Sequence, residues 1–513
     1  MGFAMVKSAV IDGLNVCEVR VEADTSNGLP LFHMVGYLSS EVKEAGERVR
    51  TAIRHTGIKM QPQKMVVNLS PADIRKRGAS FDLPIAVALA VSAGIFADTR
   101  TEDALFIGEL GLNASVRKVN GILPIVAEAR KKGYRLCIVP KENEAEGGMV
   151  EGIKVCGVST LGEVWDYLNS GKLSSGSRRN RNINVREDHE KDFSEMCGQR
   201  AVKRAAEIAA SGGHNILYIG APGSGKTMAA QRMATILPRL TEEEMLETTG
   251  VYSVAGLLRE ECPMITIPPF REVHHTITRA ALVGGGLYPV PGEISLANRG
   301  VLFLDELTEF QKPVLEALRE PLETKEVHIV RKRRNYIFPA NVILTAAMNP
   351  CPCGYYPDYE KCSCTPGEIH RYLGRVSQPL LDRIDICMEA SRVTFQELNS
   401  QEKEETSAQI RERVIQTRNI QNMRYKGTKI TTNAEIPSGK IKQFCELERK
   451  ERGLLEKAFE RMGLTARSCH KILKVARTIA DMEMSERIKS EHLAEAISYR
   501  YINSKLWGGV RDV

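Results

Sequence analysis

The sequence predicts an α/β fold: an α/β beginning, a core built on a parallel sheet, and a helical end. Three observations carry this. Residues 193–390 alternate short apolar strand runs with helical stretches, in the manner of a doubly wound sheet. A glycine-rich loop stands between one such run and a helix at residues 220–227. Residues from about 395 to 505 carry helical periodicity almost throughout. At 513 residues the chain is too long for one ordinary domain.

In chain order, residues 1–172 form the first domain. Runs 16–23, 64–69, 104–107 and 136–139 are short strands rich in branched residues. Residues 42–56 have helical spacing. Residues 83–96 are an alanine-rich apolar helix with Pro84 near its start, too short to cross a bilayer. Residues 173–192 hold only Leu173, Ile183 and Val185 as apolar side chains, so they read as a solvated linker. Its basic group Arg178, Arg179 and Arg181 fits solvent better than DNA. Residues 193–394 are the core and 395–513 the helical domain. There Thr465 reads as an N-cap, with Ile472, Leu473, Ala476, Ile479 and Ala480 on one helix face.

Composition narrows the function. Apolar residues are 42% and charged residues 26%, which excludes a mainly disordered, collagen-like or membrane-embedded chain. The first residues lack the pattern of a secretory leader, so a cytoplasmic protein is expected. The net charge of +7 permits a nucleic-acid partner without requiring one. Twelve cysteines in such a chain are not a disulfide framework, and eight are scattered.

The phosphate chemistry is the clearest signal. Residues 215–219 form a buried-strand run leading into Gly220-Ala221-Pro222-Gly223-Ser224-Gly225-Lys226-Thr227, then a helical stretch closed by Pro238. This is G-x-x-x-x-G-K-[ST] in its required strand–loop–helix setting. Glycines let backbone N–H groups curl around a phosphate at a helix N-terminus. Lys226 is expected on the β- and γ-phosphates of ATP, and Thr227 on Mg²⁺. Residues 301–304 are an apolar strand ending in Asp305-Glu306. Asp305 is expected to hold the Mg²⁺ and Glu306 to act as base on the attacking water.

With both halves in this order, the chain resembles the AAA+ ATPases. By that resemblance Asn349, after the strand 342–347, is the sensor that orients the water. Arg383, in Leu380-Leu381-Asp382-Arg383-Ile384-Asp385, resembles the arginine finger of the magnesium-chelatase and MCM branch. It would act on a neighbouring subunit's ATP and so implies a homo-oligomeric ring, a hexamer. Arg467, after Thr465-Ala466, resembles that branch's second-sensor arginine at the start of a lid helix.

Two insertions bear on the substrate. One carries Pro269-Phe270-Arg271-Glu272-Val273-His274-His275-Thr276, Gly284-Gly285-Gly286 and Pro291-Gly292-Glu293, and reads as a projecting loop. His274 and His275 are expected to point apart on an extended chain, against metal ligation. In the other, two β runs flank Arg331, Lys332, Arg333 and Arg334, giving a hairpin whose basic tip could hold DNA phosphates in a pore. A solvated hairpin is the alternative.

These segments, with Gly28-Leu29-Pro30, residues 66–73, Phe81-Asp82-Leu83-Pro84 and Gly108-Glu109-Leu110, resemble the ComM/YifB family of magnesium-chelatase-like ATPases over nearly the whole chain. Val273 and Asn298 depart from that pattern, which usually has proline and histidine there. The resemblance implies a helicase-like motor that translocates or branch-migrates DNA, branched or single-stranded, during natural transformation. A chelatase-type ATPase that remodels a protein or assists metal insertion is the alternative.

Cys351-Pro352-Cys353 and Cys362-Ser363-Cys364 place four thiols within fourteen residues, enough for a tetrahedral Zn²⁺; reduced thiols or a redox pair are the other readings. Residues 1–172 resemble the Lon-protease-like fold, of the ribosomal protein S5 type. Ser80 falls in the segment that carries the Lon nucleophile, but Leu123 stands where the lysine base is needed, so no peptidase activity is expected.

Overall fold

The computed structural model describes residues 2–172, 191–331, 334–398 and 403–507. They fall into two compact units. One joins Met1–Val185 with Glu242–Ile265, and the other joins Arg186–Thr241 with Thr266–Val513.

The first unit is built on a mixed seven-stranded sheet. Its strands are β1 (Gly2–Asp12), β2 (Asn15–Ser26), β3 (Leu31–Val35), β4 (Lys64–Ser70), β5 (Ala104–Phe106), β6 (Leu136–Pro140) and β7 (Lys154–Val158). Their order is β3-β4-β2-β1-β5-β6-β7. β1 and β2 form an antiparallel hairpin closed at Asp12↔Asn15, where Gly13 takes φ 72°. β2 alternates faces, with Val19, Val21 and Ala23 fully buried. The apolar helix Asp82–Ser92 is buried along its whole length. Its Asp82 carboxylate is held by Arg48 at 2.8 and 3.0 Å, as a buried charge must be.

Residues 242–265 lie inside the boundaries 193–394 that the sequence suggests for the core, yet they pack in the first unit. The helix Glu242–Val254 lies against the helix Ile122–Lys131. Gly121 N–H donates to the Ser253 carbonyl at 3.1 Å, and the Ser253 hydroxyl donates to Glu146 at 2.5 Å.

The second unit contains a five-stranded parallel sheet. Its strands are β8 (Ile216–Gly220), β9 (Phe270–Val273), β10 (Val301–Leu304), then β13 (Ile343–Met348) and β14 (Ile386–Ala390). β11 (Glu326–Arg331) and β12 (Arg334–Pro339) form the separate hairpin that the basic segment predicts. The sheet order is β9-β10-β13-β8-β14, all neighbours parallel. Every residue of β8, β10 and β13 is buried, as expected where both faces of a parallel sheet are covered. The chain's last part is helical: Ser407–Arg424, Arg449–Met462, Ala466–Met482 and Ser490–Trp507. Thr465 caps its helix by accepting from Ser468 N–H at 3.2 Å. Ile472, Ala476, Ile479 and Ala480 are fully buried, and Leu473 packs partly against the same core.

Candidate phosphate site and its surroundings

The candidate site lies where the parallel strands end. Ligands in open α/β sheets bind at that carboxyl edge because helix N-termini and loops converge there. β8 stops at Gly220, where an added Cβ would collide with the Ala390 carbonyl of the neighbouring strand. Gly223 and Gly225 take φ of 76° and 81°, which the curled loop requires and L side chains resist. The helix then begins at Lys226 itself, as Lys226–Arg232, with a tighter turn Met233–Ile236 after it.

Three segments, counting the loop itself, meet here. Lys226 Nζ donates to the Gly220 carbonyl at 2.7 Å, the Ala221 carbonyl at 2.9 Å and Asn349 Oδ1 at 3.2 Å. Burial pushes its pKa below the ordinary lysine value, against the opposing pull of Asp305. Thr227 Oγ1 donates to Asp305 Oδ2 at 2.9 Å. Glu306 N–H donates to the other Asp305 oxygen at 2.9 Å. Gly220, Gly223, Gly225, Lys226, Thr227, Asp305, Glu306 and Asn349 are thus brought together. The Ser224 hydroxyl, buried in the loop, has no hydrogen-bond partner among the described residues. A hydroxyl beside a carboxylate, a lysine held on carbonyls and a curl of amides fit Mg²⁺ and a polyphosphate.

Glu306 is a non-glycine residue at φ 51°, ψ 51°, a conformation costing about 1–3 kcal/mol. Its carboxylate is exposed and lies 3.5 Å from His275 Nδ1. Sequence reasoning missed this partner. β9 ends at Val273, so His274 and His275 occupy a turn, not a strand. Their rings face each other at 4.1 Å instead of pointing apart, which corrects that expectation. Arg271 and Glu293, from two separate parts of the same insertion, pair at 2.6 and 2.8 Å.

Arg383 and Arg467 are placed elsewhere. Arg383 donates to the Arg319 carbonyl at 2.8 Å, the Pro379 carbonyl at 2.6 Å and Glu323 at 2.5 Å. Arg467 approaches the same Glu323 at 4.0 Å. Both line a cleft of about 810 Å³ with Lys325, Lys471 and Lys474. β14 runs parallel to β8 from Ile216↔Ile386 to Gly220↔Ala390. Arg383 therefore precedes the start of β14, while the phosphate loop follows the end of β8. The strands between them span about 13 Å. Asp385 anchors this edge: it accepts from Asn215 N–H at 3.0 Å and pairs with Lys471 at 2.8 Å. Burial alone would raise its pKa, but Lys471 and His214 hold the carboxyl well below the usual range.

The other predicted residues divide. Cys351, Cys353, Cys362 and Cys364 come together, as argued below. Arg331 is exposed and Arg334 half-buried at the end of the hairpin, beside the exposed Val330. Lys332 and Arg333 lie outside the described residues. In the first unit, Leu123 is buried near the start of its helix, its N–H bonded to Glu146 at 2.9 Å.

A P-loop and a strand-end acid pair on a parallel sheet of this order fit an AAA+-like nucleotide-binding unit. Residues 192–398 match the family described as magnesium chelatase, subunit ChlI. Residues 21–143 match subunit ChlI of Mg-chelatase, and 404–500 its C-terminal part. The chain is 40% identical to competence protein ComM of Haemophilus influenzae over 98% of both chains. It is 39% identical to the YifB protein of Escherichia coli over 99% of this chain and 98% of that one. The magnesium-chelatase 38 kDa subunit of Cereibacter sphaeroides is 26% identical over 174 residues, 31% of this chain and 52% of that one. The chain belongs to the ComM/YifB family of magnesium-chelatase-like proteins.

Proposed function

We propose that the protein is a Mg²⁺-dependent ATP hydrolase of the AAA+ type that assembles into a ring and moves DNA. The observation that carries this is the meeting of Lys226, Thr227, Asp305, Glu306 and Asn349 from separate segments at one strand edge. Thr227 and Asp305 would hold Mg²⁺, which supplies charge neutralisation across the β- and γ-phosphates. Lys226 would exchange its carbonyl partners for phosphate oxygens. Glu306 would take the proton of the attacking water, and Asn349 would orient that water.

Arg383 supports the ring. Held at the opposite end of the strands from its own phosphate loop, it suits an ATP bound by the next subunit, with Arg467 beside it. A hexamer is the proposed closure, the helical last segment its lid. The name of the Haemophilus relative, a competence protein, favours DNA taken up by a cell as substrate. The basic hairpin offers Arg331, Lys332, Arg333 and Arg334 to a phosphate backbone, branched or single-stranded. Similarity to the magnesium-chelatase 38 kDa subunit favours a second reading, in which the same motor remodels a protein partner or assists metal insertion.

The first unit, proposed as Lon-like, would serve assembly or DNA contact, since leucine at 123 supplies no base for Ser80. No described helix is long and apolar enough to cross a membrane. The test is the ATPase rate with and without forked or single-stranded DNA. DNA should stimulate turnover, and the triple variant Lys332→Ala, Arg333→Ala, Arg334→Ala should lose that stimulation while keeping its basal rate. Equal rates with and without DNA would favour the chelatase reading.

A further inference from the structure

Residues 351–364 leave the strand that ends beside Asn349 and return to the helix Pro366–Leu373. Within this loop the sulfurs of Cys351 and Cys353 are 3.3 Å apart, those of Cys353 and Cys362 3.5 Å, and those of Cys351 and Cys362 3.8 Å. With Cys364 included, all four lie within 4.8 Å of one another. Thiolates at the corners of a tetrahedron around Zn²⁺, each about 2.3 Å from the metal, stand about 3.8 Å from each other. A disulfide would bring one pair to about 2.0 Å, and all four cysteines are free. The spacing therefore fits a shared metal better than a redox pair.

The surroundings fit a closed site. Cys351 is buried and the other three are half-buried. Tyr356 N–H donates to Cys351 Sγ at 3.4 Å, the kind of bond that offsets charge on a metal-bound thiolate. Four sulfurs fill the tetrahedron and leave no position for water, so the site is structural. Thr365 and Glu368 form a reciprocal cap just beyond Cys364, which fixes where the loop re-enters its helix.

The loop also bears on the phosphate site. Gly354 takes φ 84°, and a Cβ there would stand 2.6 Å from Pro222 Cδ and 3.7 Å from Asn349 Cγ. Its backbone thus presses directly on the phosphate loop. Asn349, two residues before Cys351, is the residue that reaches Lys226. We propose that Cys351, Cys353, Cys362 and Cys364 bind one structural Zn²⁺, and that this metal clamps the loop against Pro222 so that Asn349 keeps its place beside Lys226. The metal site stands on sulfur geometry alone; its effect on turnover rests on the proposed ATP chemistry.

The experiment separates the two. Full-length protein, purified under reducing conditions without chelator, is analysed for metal and expected to hold about one zinc per chain. Cobalt(II) added to stripped protein should give the thiolate charge-transfer and ligand-field bands of a tetrahedral four-sulfur site. The double variant Cys353→Ser, Cys364→Ser should lose both signals, while its circular dichroism shows the helices retained. Thiols that all remain reduced yet take up neither zinc nor cobalt would overturn the site, as would a disulfide found by mass spectrometry in the reduced preparation.

Stripping should then lower ATP turnover on the order of tenfold, reversed by zinc alone. Zinc-loaded and zinc-free protein that turn over ATP equally would overturn the clamp. Should protein shown to hold its zinc fail to bind a fluorescent ATP analogue, the ATP reading would fail and the metal site would stand.

Discussion

The two ends of the second unit's parallel sheet solve opposite problems. At the carboxyl edge, polar groups from three segments find each other: Lys226 with Asn349, Thr227 with Asp305, and Asp305 with the Glu306 amide. At the amino edge, cations crowd a cleft where Arg383 and Arg467 share one carboxylate, Glu323. On the proposed reading, one edge would supply the grip and the proton acceptor for a triphosphate. The other, on that reading, would offer its positive charge to a transition state in a neighbouring chain. Under the proposed function the contrast has a simple meaning: each edge would be half of a site, completed when the amino edge of one chain meets the carboxyl edge of another.

The largest effects should come from breaking the carboxyl edge. Lys226→Ala should abolish nucleotide binding, and Glu306→Gln should cut ATP turnover by about 10³-fold or more while leaving binding nearly intact. Equilibrium binding and steady-state phosphate release separate the two. Parent-like turnover in both variants would remove the basis of the comparison.

Arg383→Ala should cost nearly as much turnover, about 10³-fold, with nucleotide affinity unchanged. Mixing sharpens the comparison. Rings assembled from Arg383→Ala and Lys226→Ala chains contain interfaces where an intact phosphate loop faces an intact Arg383. Activity should reappear in the mixture and be absent from either variant alone. Failure to complement, with mixed rings shown to form, would place Arg383 in its own chain's chemistry.

How far this was legible depends on how local each feature is. A phosphate grip needs consecutive residues, so Gly220 to Thr227 announces itself, and the burial of residues 216–219 follows from their apolar run. The sulfur cluster was legible for the same reason. The contact between His275 and Glu306 was not, because it depends on β9 lying next to β10 and on the strand ending one residue before His274. Glu323 carries no motif; packing alone places it between two arginines from distant segments. Residues 242–265 were assigned by their place in the chain, since an apolar pattern reports that a helix is buried without saying against which body.

Asp385 tests what holds the amino edge in shape. Its carboxylate is buried against Lys471, so Asp385→Asn should destabilise the unit by about 3–5 kcal/mol, leaving an ammonium unpaired. The pH dependence has a definite sign. A carboxyl whose folded pKa lies below its unfolded value stabilises above that unfolded value, about 3.9, and loses the contribution as pH falls further. Denaturant melts should show parent and variant far apart at pH 7 and converging below about pH 4. A constant gap across that range would mean the pair is not what stabilises this edge.

The smallest effect isolates the role of Glu323. Its side chain is 57% exposed, and its partners Arg383 and Arg467 are 14% and 68% exposed. An ion pair with so much solvent contact contributes at most about 1 kcal/mol. Arg383 also keeps its bonds to the Arg319 and Pro379 carbonyls without it. Glu323→Gln should therefore change stability by less than about 1 kcal/mol and leave the fold intact. In assembled rings it releases the two arginines from a competing carboxylate, so turnover should stay at the parent level or rise, in contrast to Arg383→Ala. A loss comparable to that of Arg383→Ala would show that Glu323 positions the finger instead of merely pairing with it, and the amino edge would then be as tightly organised as the carboxyl edge.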